Sequence, residues 1–204
     1  MGEQRQQEPD RRREILEAAL RVFSERGFRG ATIKEIAREA GIRSSALIYW
    51  YFEDKEDLFG EVLASHVPVV RAVIELGPLM EVEPEEVLTR LGRAYLAFDE
   101  TNTRALRLVI GEAVLRPEVA ERFIAGGPER VLGFLKTYLG RQVELGRLRP
   151  HDVRSSARAY IGMLIPQVAG KVLFPALQAD GLTDEEHLQA SVDIFLRGLE
   201  PKGR

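Results

Sequence analysis

Residues 49–52 of the 204-residue chain, Tyr49, Trp50, Tyr51 and Phe52, are four consecutive aromatics, followed at once by the acidic run EDKED at residues 53–57. Closely spaced carboxylates suggest a cation site. Lys55 stands among them, however, and carboxylates are what a helix N-terminus attracts in any case. The rings offer different chemistry, because hydroxyl-tipped aromatics can touch phosphate, sugar and base while the rest of their element holds a core. Four bulky rings in succession cannot all face one way on a helix. The remaining inventory is thin. There is no cysteine, which excludes disulfides, thiol nucleophiles and thiolate metal sites. His66, His151 and His187 lie far apart, and none begins a metal-ligand spacing. GFRG, residues 27–30, lacks the preceding strand of a phosphate cradle, and no serine sits in a nucleophile elbow. No cofactor and no metal is expected.

Charge separates the chain into two parts. Residues 11–52 carry nine Arg/Lys against five Asp/Glu, a local +4 within a chain of net −3, so the remainder carries −7. A modest basic patch on an acidic body suits specific contact with an anionic polymer, or else is an ordinary solvated helix face. The N-terminal MGEQRQQEPDRRRE lacks the apolar core of a signal peptide. The longest nearly uncharged apolar run, residues 159–170, has 12 residues, short of the ~20 that span a bilayer. A cytoplasmic location without membrane attachment is expected.

The elements that must position the aromatics are helices. Residues 11–26 set Ile15, Ala19, Val22 and Phe23 at i, i+4, i+7 and i+8, a stripe that Gly27 ends. In ATIKEIAREAG, Thr32 stands three residues before Glu35, a capping box, with Ile36, Ala37 and Ala40 on the inner face and Gly41 as the stop. After the turn IRS, Ser44 or Ser45 starts a short helix that runs out near Phe52. Asp54 caps a long one reaching almost to Gly77-Pro78, and Pro68 inside it predicts a kink near residues 64–67. Three short helices with a tight, glycine-led turn between the second and third are the pattern of a helix-turn-helix. The fold class is all-α, an N-terminal helix-turn-helix domain followed by a larger helical domain.

The wording is more specific than the spacing. RREILEAALRVFSERGFRGATIKEIAREAGIRSSALIYWYFEDKEDLFGEVL strongly resembles the DNA-binding region of the TetR family of bacterial transcriptional repressors. The match lies in the GF after helix one, the AT-I-EIA-EAGI of helix two, the LIYWYF of helix three and the F-x-x-K-E-x-L opening helix four. It covers about a quarter of the chain. The resemblance implies a flexible arm at residues 1–10, a DNA-binding domain at 11–53, and an effector-binding and dimerisation domain at 54–204. It implies phosphate contacts by Thr32 and Lys55 and a base or phosphate contact by Lys34. Ser45, Ala46 and Leu47 fall at the base-reading start of helix three. A helix in the major groove would turn Ile48 and Phe52 inward and place the hydroxyls of Tyr49 and Tyr51 on phosphates. It would wedge Trp50 against neighbouring helices with part of its ring exposed. Arg11, Arg12 and Arg13 either grip flanking phosphates or are solvated. From Gly41 to Phe52 the chain has twelve residues, one more than the family wording. The extra residue falls at Arg43 or Ser44, which join the candidate contacts.

Downstream, helices are predicted at residues 83–100, 103–116, 129–145, 153–179 and from 183 or 184 to 199. The one at 153–179 is apolar on two faces, Tyr160, Met163, Leu164 and Gln167 on one and Ile161, Ile165, Val168 and Val172 on the other, so both must be buried. The first face, with Phe98, Leu106, Val109, Phe134 and Tyr138, is expected to line an effector cavity, with His66, Arg104 and Arg107 as anchors for an anionic end. The second, with Leu188, Val192 and Phe195, is expected to form a homodimer interface. The implied protein is a ligand-responsive repressor that binds a partly palindromic double-stranded DNA operator as a dimer. Its release is expected from a small apolar effector, an acyl coenzyme A or a hydrophobic drug. An effector-independent DNA-binding dimer and a helical-bundle enzyme acting on an apolar substrate are the alternatives.

Overall fold

A computed structural model of the chain describes residues 3–65, 73, 75–118, 121, 127–178 and 181–201, with backbone alone at 3–10, 64 and 177. Every regular element among them is helical: α1 (Glu3–Gly30), α2 (Ile33–Glu39), a 3₁₀ helix η1 (Ser45–Trp50), α3 (Lys55–Ser65), α4 (Pro84–Leu96), α5 (Glu100–Leu115), α6 (Pro128–Glu144), α7 (Val153–Val172), η2 (Pro175–Gln178) and α8 (Asp184–Leu199). None is long and apolar enough to cross a membrane. His66 and the kink expected at Pro68 lie outside the described residues.

The helices form two compact units, residues 1–66 with 104–123, and residues 67–103 with 124–204. In the first, α1 is kinked at Gly27, which adopts φ 66°, ψ 172°, a positive-φ conformation that a residue with a Cβ enters only under strain. Phe28 is thereby delivered into an aromatic cluster, 5.8 Å from Phe23 and 5.0 Å from Phe59 between ring centroids. Ile15, Ala19, Ile36, Ile48, Phe52, Leu58 and Val62 surround the cluster, joined by Ala105 and Val109 of α5. The predicted capping box is present, with Thr32 Oγ1 accepting from Glu35 N at 3.2 Å and the Glu35 carboxylate accepting from Thr32 N at 3.1 Å. Gly41, at φ 67°, makes the turn that follows.

In the second unit α4 packs against α8 and α7, and α6 against α7. Gly92 permits this closeness, since a Cβ there would lie 2.3 Å from Leu188 Cδ1 and 2.7 Å from Tyr160 Oη. Tyr160, fully buried, donates its hydroxyl to Leu88 O at 2.6 Å. Tyr138 donates to Val82 O at 2.8 Å. Buried Gln142 donates to Met80 O at 2.7 Å and accepts from Arg147 at 3.1 Å. These bonds satisfy groups whose burial would otherwise be costly. Asp152 caps α7 by accepting from Arg154 N and Ser155 N. The expected helix at 153–179 stops at Val172 and resumes as η2.

Candidate nucleic-acid interface

The short third helix is wound at about three residues per turn rather than 3.6, and this decides what it presents. Positions three apart line up along it. Ser45, Ile48 and Tyr51 form the inner line, half-buried, buried and half-buried, while Ala46 and Tyr49 form an exposed one. Ser44 caps it by accepting from Ala46 N at 3.3 Å. Ile48 and Phe52 are buried as expected, at 1% and 2% exposure, but Phe52 lies beyond the helix and is held by its amide bonding to Ile48 O at 3.0 Å.

Two expectations need correction. Trp50 is not wedged against neighbouring helices, because at this winding its ring projects outward and is 85% exposed. Tyr51 turns inward instead of matching Tyr49, packing against the core with its ring 6.4 Å from Phe52. The outward set is therefore Arg43, Ser44, Ala46, Tyr49 and Trp50, with Lys34 exposed on α2 and Leu47 half-buried.

Thr32 and Lys55 both have intramolecular roles. The Thr32 hydroxyl donates to Glu35 Oε2 at 2.9 Å. That bond is the largest cause of the lowered Glu35 pKa, with desolvation acting against it. Lys55 Nζ donates to Phe28 O at 2.9 Å and Ala31 O at 3.0 Å, and lies 4.4 Å from the Phe28 centroid. It ties the start of α3 to the segment after Gly27, using two of its three N–H groups.

Contacts from α5 had no local signal in the sequence. Glu112 Oε1 accepts from Phe28 N at 2.8 Å. Arg116 pairs with Glu112 at 3.2 Å and lays its guanidinium 3.7 Å from the Phe28 centroid, a cation–π contact in a nearly dry setting. On the other flank, Arg12 bonds Glu61 at 2.5 Å and lies 5.2 Å from the Phe52 ring. Arg12 thus links α1 to α3 and to the Phe52 ring that follows the third helix, a role outside both alternatives for the arginine run.

The expected effector residues are divided between the two units. Val109 belongs to the core of the first unit, with Leu106 packed against it and Arg107 exposed. Phe134, Tyr138, Tyr160, Leu164 and Gln167 are buried in the second, where Phe98 and Met163 are half-buried. The phenols of Tyr138 and Tyr160 are tied to carbonyls, and burial pushes both above the usual tyrosine range. Gln167 donates to Leu182 O at 3.2 Å, and His187 shares a 2.6 Å bond with Met163 O.

The expected interface set is also corrected. Val168, Val172, Leu188, Val192 and Phe195 are at most 8% exposed within one protomer. Val168 and Val172 continue, at i+4 and i+8, the inward stripe of Leu164, so they are already spent on the protomer's own core. Ile165 at 50% and Ile194 at 61% face outward instead, with Ile161 half-buried beside them. Among the described residues no group of three or more His, Asp or Glu is placed to hold a metal.

Comparison with known proteins adds an independent line. Residues 15–62 match the family model for bacterial regulatory proteins of the tetR family, and residues 86–198 match that for the C-terminal domain of AefR-like transcriptional repressors. The HTH-type transcriptional repressor AcnR of Corynebacterium diphtheriae is 34% identical over 149 residues, 70% of this chain and 72% of that protein. The structure of the regulator PfmR from Thermus thermophilus superposes with a TM-score of 0.63 at 30% identity, over 92% of this chain and 99% of that one. FadR from Bacillus subtilis, solved in complex with stearoyl-CoA, shares the fold at a TM-score of 0.64 and 18% identity, over 92% and 98% of the two chains.

Proposed function

Because the chain belongs to the TetR family of bacterial transcriptional regulators, we propose that it is a repressor that binds a partly palindromic operator as a homodimer and is released by a small apolar or acyl effector. It is a regulator and not an enzyme, with a DNA-binding helix-turn-helix domain and a ligand-binding C-terminal domain. Operator reading is assigned to residues 11–53, and sensing and dimerisation to 54–204.

The observation that carries the reading is the two-sided third helix. Ile48 and Phe52 anchor it in the core, while Tyr49 and Trp50 are 53% and 85% exposed beside Arg43 and Lys34. Leaving large rings in water has no benefit to the isolated fold, whereas in a major groove they would meet sugars and thymine methyls and the cations would meet phosphates. The repressor sense follows the character of AcnR and of the C-terminal model. An acyl coenzyme A is a candidate effector class because FadR, of the same fold, was solved with stearoyl-CoA. For the dimer, Ile161 and Ile165 are kept from the expected set and Ile194 joins them, in place of the five residues that the fold buries.

The test is anisotropy of the purified protein on a labelled operator selected from random duplexes. Saturable binding at two half-sites one helical turn apart, about 34 Å, is expected, with release by a long-chain acyl coenzyme A. Absence of any selected duplex would reject the operator reading. Selection without release would reject only the effector class.

A further inference from the structure

We propose that four cations of the first unit, Arg29, Lys34, Arg38 and Arg43, form the ridge that holds the DNA backbone, and that Lys55 takes no part in it. This rests on the operator reading and deepens it, by naming which charges meet phosphate.

The basic residues of the unit divide by partner. Of the nine between residues 11 and 52, five, all on α1, are in ion pairs with carboxylates. The other four are exposed and form no ion pair or side-chain hydrogen bond with any described residue. Surface pairs add little stability, yet they decide which charges remain for a partner. Here the remaining charge falls in one stretch, residues 29–43.

Helix α2 makes the separation. Glu35 and Glu39 are four apart, as are Lys34 and Arg38, so α2 carries an acidic row and a basic row side by side. The acidic row is taken up by α1, with Arg26 2.8 Å from Glu35 and Arg21 2.7 Å from Glu39. The basic row is left to solvent. The Thr32 hydroxyl is the largest cause of the lowered Glu35 pKa, and Arg38 contributes only through space, last among the causes. Like charges four apart on a helix repel, and a phosphate chain laid along the row would remove that repulsion. Arg29 precedes α2, and Arg43 follows it in the turn that leads into the third helix.

Lys55, by contrast, directs its ammonium inward, to Phe28 O, Ala31 O and the Phe28 ring. A phosphate there would compete with two carbonyls already in place.

The experiment is the salt dependence of binding, measured by anisotropy of the full chain on the selected operator and on a duplex of unrelated sequence. Four phosphate contacts per protomer give a dimer a log–log slope of about −7. Arg29→Gln/Arg38→Gln, at two exposed positions, should melt like the parent and reduce the slope to about −3.6 on both duplexes. Lys55→Gln should keep the parent slope and melt lower. A parent slope in the double variant overturns the proposal, and so does a shallower slope in Lys55→Gln with parent-like melting. If no operator is selected but the unrelated duplex still binds and responds to the double variant, the operator reading alone is rejected. Absence of binding to any duplex rejects both.

Discussion

The backbone N–H of Phe28 donates to the carboxylate of Glu112 at 2.8 Å across 84 positions of sequence. Glu112 also neutralises Arg116, whose side chain and its own are each 13% exposed. Removing the carboxylate therefore leaves an amide unpaired and a guanidinium stranded. Glu112→Ala is expected to cost about 3 kcal/mol, read as a lower urea midpoint. Glu112→Gln, which keeps an acceptor for Phe28, should lose less. A parent-like midpoint in both would mean that the α5 contact does not stabilise the fold.

Gly92 provides a purely steric test. A methyl group there would enter the space of Leu188 and of the Tyr160 hydroxyl, and both neighbours are buried. Gly92→Ala should destabilise the protein by about 1–3 kcal/mol, despite the better helix propensity of alanine. An unchanged thermal midpoint would show that α4 and α8 part without cost.

The third helix separates reading from folding. Tyr49→Ala and Trp50→Ala should weaken operator binding at least severalfold with parent-like melting, since both rings are outward. Ile48→Ala, at a position 1% exposed, should instead cost about 2–5 kcal/mol of stability. Equal operator affinity in the first two variants would remove the aromatic rim from the interface.

These variants also mark what the sequence could and could not disclose. Thr32 and Glu35 declare their capping box because both partners lie within one turn. Ile15 to Phe23 declare a buried stripe by period alone. Over six residues, however, an apolar pattern cannot distinguish three residues per turn from 3.6, so Trp50 and Tyr51 exchanged environments relative to expectation. Likewise α7 is apolar on two sides, and composition does not say which side its own protomer takes. Val168 and Val172 fell inward and Ile165 outward. The Glu112–Phe28 bond joins residues with no shared local pattern, and only the folded chain reveals it.

Self-association should track the outward positions. Ile165→Glu and Ile194→Glu, at 50% and 61% exposure, should shift sedimentation from dimer to monomer with folding retained. Val168→Glu, at 8% exposure, should unfold the protomer by placing a charge in its core. A stable dimer from the Ile165/Ile194 double variant would move the interface elsewhere.

Acid should loosen the helix starts of the second unit first. Asp152 is held at about 2 by the Arg154 side chain and by the backbone amides of residues 154 and 155, and Glu185 at about 2 by Arg93 and Gln189. Both folded values lie below the ordinary 3.8 and 4.5, so their contributions are complete above those values and disappear as pH falls toward 2. Asp152→Asn should flatten the dependence of stability on pH in that window, measured by urea unfolding at a series of pH values. An unaltered slope would mean that the cap is equally well made in the unfolded chain.

The chain contains a single tryptophan, and it is Trp50, 85% exposed on the third helix. Its emission therefore reports on the surface proposed to meet DNA and hardly at all on the hydrophobic interior. Indole fluorescence should already be red-shifted and open to acrylamide in the native protein, changing little on denaturation. Docking onto duplex should quench and shield it, giving an intrinsic optical signal for operator occupancy without any attached dye.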